Sequence, residues 1–133
     1  MVNPMKQRVA GRRGFTLIEL LVVMAIVSAL LSIVVPRYMS KVDVAKEAAL
    51  KENLNALRVA LDQYNSDKGT YPEKLTDLVG QRYLRALPID PVTERRDSWI
   101  VSIREEEGGK KVIHDVRSGA AGNGLDGTPF RSW

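Results

Sequence analysis

An apolar run of 21 residues, Phe15 to Val35, carries a single charge, the carboxylate of Glu19 near its start. As a helix rising ~1.5 Å per residue it reaches ~32 Å, enough for a hydrocarbon core of ~30 Å. A signal peptide has a shorter apolar stretch, ~7 to 15 residues, followed by a small-residue cleavage site. Here the small residue beside the basic stretch, Gly14, comes before the run instead. A plain anchor leaves Glu19 unexplained, because a charged side chain costs up to ~3 kcal/mol at the bilayer centre and marks a functional position by default. A cut after Gly14 would create an α-amine on Phe15 at the i, i+4 spacing from Glu19, the spacing that brings two positions onto one helix face.

The rest of the chain of 133 residues leaves room for one small water-facing domain. The net charge of +4 suggests nucleic acid at first sight. Residues 1–14, however, hold Lys6, Arg8, Arg12 and Arg13 and no acid. Without those four of the 20 basic residues, the remainder equals the 16 acidic ones, so the basic balance belongs to a leader and no nucleic-acid partner is expected. Met5 offers a second possible start that keeps this charge. Arg37, Lys41 and Lys46 follow the run, so counting positive charges favours a cytoplasmic N-terminus only weakly. The chain has no cysteine, which removes disulfides, thiolate metal sites and a thiol nucleophile.

Three segments are expected: a leader 1–14, an apolar helical half 15–36, and a head 37–133 that includes an amphipathic half of the same helix. Pro36 predicts a kink or local melt, since proline removes a backbone donor and crowds the preceding turn. Beyond it Leu50, Leu54, Leu57, Leu61 and Tyr64 recur at spacings of 4, 3, 4 and 3. That stripe is too short for a coiled coil, which favours packing on the protein's own sheet over a partner helix. Glu47 with Lys51, and Arg58 with Asp62, read as exposed i, i+4 pairs. Lys68-Gly69-Thr70-Tyr71-Pro72 ends the helix. A second helix is expected from Glu73 to Val79, closed by Gly80. The prolines of Tyr83 to Pro91 predict an extended structural loop. Ser98–Ile103 and Lys111–Val116 read as a hairpin around Gly108-Gly109, with Glu105, Glu106 and Glu107 as a solvated tip that discourages edge pairing. A glycine-rich tail from Arg117 follows, closed by Phe130 or Trp133. The fold class is α+β: a long N-terminal helix, then a small head with a short helix and an antiparallel hairpin.

The motif Arg13-Gly14-Phe15-Thr16-Leu17-Ile18-Glu19 resembles the processing site of type IV pilins and of type II secretion pseudopilins. The resemblance implies that a prepilin peptidase cuts between Gly14 and Phe15 and methylates the new N-terminus of Phe15. It further implies that Glu19 binds the N-terminal amine of a neighbouring subunit as a helical homopolymer forms. Partners implied are the lipid bilayer, minor pseudopilins and an inner-membrane secretion platform, with the head in the bacterial periplasm and work supplied by an external ATPase. The Gly-Thr-Tyr-Pro turn, the segment from Tyr83 to Pro91, the hairpin and the missing cysteines resemble the major pseudopilins in particular. Those proteins bind calcium in a C-terminal loop, which on this chain implies Asp126 with Ser118 and Asn123 as ligands. Gly122 and Gly127 stand where further aspartates are expected, a departure from that pattern.

No catalytic constellation emerges. His114 is the lone histidine and reads as structural, Ser118-Gly119 lacks a nucleophile elbow, and no phosphate-binding loop occurs. Two other readings stay open: a type IV pilus subunit for adhesion, motility or DNA uptake, and a monomeric membrane-anchored periplasmic binding module.

Overall fold

The structure, a computed structural model, describes residues 2–5, 11 and 13–133. Lys6, Arg8 and Arg12 of the expected leader lie outside the described residues, as does Met1. The elements in chain order are α1 (Leu17–Lys68), α2 (Thr76–Gly80), β1 (Ile100–Glu105), β2 (Lys111–Arg117) and a 3-10 turn (Phe130–Ser132). The α+β class is as expected. The chain divides into two compact units, one ending at Tyr38 and one spanning Met39–Trp133.

In the first unit α1 presents its apolar side chains on every face, and none of the run is buried within the chain. It is long and apolar enough to cross a membrane. The Ser32 hydroxyl donates to the Ser28 carbonyl at 2.8 Å, so that polar group is satisfied inside the helix. Helical backbone continues through Pro36, which corrects the melt expected there. Proline forfeits one backbone hydrogen bond, and the intact turns on both sides hold the helix together.

The second unit is built on the leucine stripe. Leu50, Leu54, Leu57, Ala60 and Leu61 are buried in one cluster with Leu78, Trp99, Ile113, Val116, Ala120 and Phe130. The stripe therefore packs inside its own chain. Each of its leucines contributes ~1.5–3 kcal/mol of burial. α1 stops at Gly69, which takes φ +73° and donates its N–H to the Asn65 carbonyl at 2.9 Å. Glycine adopts that left-handed conformation at no steric cost.

α2 is shorter than expected and begins three residues late. The Asp77 carboxylate accepts the Lys74 N–H at 3.1 Å, and this side-chain bond holds Glu73 to Leu75 in a turn ahead of the helix. β1 and β2 pair antiparallel with an irregularity after Ser102, where the register skips His114. A bulge of this kind breaks strict alternation. As a result Val112 and Ile113, though adjacent, are both buried, while His114 is exposed. The outer edge of β2 is covered where Ile113 donates to the Pro72 carbonyl at 2.8 Å. Glu106 is not simply solvated: it accepts the Thr70 hydroxyl at 2.7 Å and ties the hairpin tip to the turn after α1.

The two i, i+4 pairs expected on α1 are replaced by longer-range partners. Arg58 donates to Asp115 and to the Val116 carbonyl, both at 3.1 Å. Glu47 accepts the N–H of Leu125, and Lys51 lies over the Trp133 ring, 4.7 Å from its centroid. Tertiary neighbours win because an exposed i, i+4 pair gives only ~0.2–0.5 kcal/mol.

Candidate functional site

Gly14, Phe15 and Thr16 precede α1 as exposed, non-helical chain. In this chain Phe15 and Glu19 are therefore not on one helical turn. Thr16 is the N-cap: its side-chain oxygen accepts the Glu19 N–H at 3.3 Å, and its carbonyl accepts the Leu20 N–H at 3.3 Å. Glu19 then falls at the third helical position. Thr16-Leu17-Ile18-Glu19 has the spacing of a capping box, whose acid can turn back to the N-cap N–H. A carboxylate in the first turn also interacts favourably with the positive end of the helix dipole. The position of Glu19 is thus electrostatically supported by its own helix before any partner arrives. Threonine followed three residues later by glutamate was the signal for this cap.

Two of the three oxygen ligands expected for calcium, Ser118 and Asp126, are engaged elsewhere. Ser118 is fully buried, its hydroxyl donating to Asp90 Oδ2 at 2.6 Å and accepting the Ala120 N–H at 3.1 Å. Asp126 is exposed and accepts both the N–H and the hydroxyl of Thr128, at 2.9 and 2.6 Å. These bonds, the hydroxyl first, hold its carboxyl below the usual carboxylate range, with help from the Lys51 cation. Asn123 is exposed and pairs through its backbone with Pro129. Among the described residues no group of three His, Cys, Asp or Glu side chains could hold a metal. Calcium takes 6–8 oxygens, normally with several carboxylates, and Gly122 and Gly127 add no side-chain oxygen. These residues do not fit that ion.

Asp90 lies in the segment expected to be a structural loop, yet it is fully buried and organises its surroundings. It accepts the N–H groups of Val92 and Thr93 at 2.8 and 3.3 Å, besides the Ser118 hydroxyl. It thereby joins the proline-rich loop to the chain leaving β2. An open groove of about 430 Å³ lies beside α1, lined by Lys51, Leu54, Arg58, Asp126, Thr128 and Trp133.

The family model for the prokaryotic N-terminal methylation motif matches residues 10–35. Type II secretion system core protein G of Pseudomonas aeruginosa is 38% identical over 94 residues, covering 59% of this chain and 66% of that protein. The Klebsiella pneumoniae protein of the same name is 36% identical over 96 residues, covering 60% and 69%. The type IV major pilin PilA of Myxococcus xanthus is 39% identical over 61 residues, covering 46% of this chain and 28% of its own. The matched region spans about two thirds of the length of the first two relatives. No solved structure matches the chain.

A methylation motif that leads into an exposed apolar helix, followed by a small α+β head, defines a protein of the type IV pilin-like class. Within that class the chain belongs to the family of type II secretion system core protein G, the major pseudopilins.

Proposed function

We propose that this chain is the structural subunit of a type II secretion pseudopilus, with no catalytic activity of its own. The observation that carries the reading is the carboxylate of Glu19 at the first turn of a helix whose apolar run, up to Val35, finds no partner within the chain. In this account a prepilin peptidase cuts between Gly14 and Phe15 and methylates the Phe15 amine. Residues 15–36 anchor the subunit in the inner membrane, basic leader inward, and the head 37–133 lies in the periplasm. A carboxylate and an ammonium are costly apart in low dielectric and tolerable together. Glu19 of one subunit therefore draws in the Phe15 amine of the next, and Thr16 holds the turn that presents it. Apolar helix faces pack as the filament core, the heads coat it, and Pro36 supplies a bend near the end of the apolar half. Minor pseudopilins and the inner-membrane platform are the further partners, and an external ATPase does the work of export.

Glu19→Leu tests this reading. The variant keeps a folded head and is processed, but filament yield in cells is lost. Filaments at the normal level would end the proposal. The likeness to a Myxococcus pilin favours one second reading, a subunit of a type IV pilus. Adjacent genes for a secretin and a secretion ATPase would favour export over pili.

A further inference from the structure

We propose that charged side chains on α1 fasten the C-terminal loop in place of a metal ion. This goes beyond the filament reading and does not rest on it. Glu47, Lys51 and Arg58, spaced by four and seven residues, lie along one face of α1. Each holds a different part of the chain after β1. Glu47 accepts the Leu125 N–H, Lys51 sits on the Trp133 ring, and Arg58 grips Asp115 and the Val116 carbonyl at the end of β2.

The loop is wired internally to meet these three. Trp133 Nε1 donates to the Thr128 hydroxyl at 2.7 Å, and Thr128 in turn donates to Asp126. Trp133 meets buried Phe130 edge-on, with ring centroids 5.1 Å apart. Gly124 lies beneath the Trp133 ring, where any Cβ would collide with it. A loop with so little regular structure opens readily unless side chains hold it.

The same wiring excludes a dication. The two carboxylates nearest the loop turn, Glu47 and Asp126, are already spent on protein donors. The hollow beneath that turn, about 260 Å³, offers only Asp43 and Glu47 as acids, with Lys46 among them. Lys51 adds a fixed positive charge close enough to act on Asp126. A calcium ion entering here would break the clamp and meet like charge.

Amide hydrogen exchange of the loop in the full-length chain, purified in detergent, tests the clamp. Exchange at Leu125 is expected to be the same in EDTA and in millimolar calcium. Glu47→Ala should speed it about tenfold or more, the worth of a hydrogen bond to a charged group. Lys51→Met should speed exchange across residues 124–128 by roughly two- to fivefold. The indole N–H resonance of Trp99, whose Nε1 donates to the Pro88 carbonyl at 2.9 Å, reports the remainder of the head. If Glu47→Ala loses that signal, Glu47→Gln is read instead, with exchange roughly threefold faster expected because the acceptor is no longer charged. Protection that rises with calcium in the wild-type chain overturns the proposal. So does wild-type exchange at Leu125 in the Glu47 variant that is read.

Discussion

Replacing Asp90 removes the most heavily used buried polar group of the head, and its cost follows from its bonds. Asp90→Ala strands the Ser118 hydroxyl, which is fully buried, and deprives the Val92 and Thr93 N–H groups of their shared acceptor. A buried donor left unsatisfied costs ~1–3 kcal/mol, and a hydrogen bond to a charged group is worth ~1.5–3 kcal/mol. The Thr93 bond is long and the loop can relax toward water, so the total expected is about 3–5 kcal/mol. A unit of this size melts ~4–8 °C lower per kcal/mol, which puts the fall above about 10 °C. Asp90→Asn keeps one acceptor for the two N–H groups and should lose about 1–2 kcal/mol. Ser118→Ala leaves one Asp90 oxygen without its donor and should fall between the two, by the same amount with or without calcium. Thermal unfolding of the full-length chain in detergent, followed by Trp99, measures all three. A loss under about 1 kcal/mol for Asp90→Ala would refute the view that this network holds the proline-rich loop to β2.

Leu57→Ala, at a fully buried position in the centre of the stripe, should destabilise the second unit by about 2–5 kcal/mol in urea unfolding. Arg58→Met should cost only about 1 kcal/mol, because Arg58 and Asp115 are each more than a third exposed, and the loss should shrink in high salt. Asp126 gives the loop a defined pH response. Its carboxyl is held below the ordinary value of ~3.9, so its contribution is complete above that value and disappears as pH falls through the lowered one. Protease cutting in residues 119–129 should be constant from neutral pH down to about pH 5 and rise only below about pH 4.

Local periodicity carried the helical half of this architecture. The leucines at 50, 54, 57 and 61 announce a buried face by spacing alone, and Gly69 announces the stop by its backbone freedom. The hairpin was readable from β-branched residues around paired glycines, with its ends displaced by only a residue or two. Choice of tertiary partner was not readable. Arg58 has an acid one turn away at Asp62, yet it bonds to Asp115 on β2, and Glu47 passes over Lys51 for a backbone N–H 78 residues on. Nothing local distinguishes a charge that faces water from one that meets a returning loop. The role of Asp90 is hidden for a related reason: two prolines mark an extended path without saying what Asp90 between them faces. The bulge that skips His114 depends on matching two strands to one core. At the N-terminus the cap is written in Thr16 and Glu19 together, three residues apart, while the charge of Glu19 by itself points only to the membrane.

The intact mass of the protein purified from its own cells tests the central claim most directly, since the pairing of Glu19 with a neighbour requires a free amine on Phe15. A chain that lacks residues 1–14 and carries one added methyl group is expected. A mass that retains those residues would contradict it, because no terminal amine would then exist for Glu19 to meet.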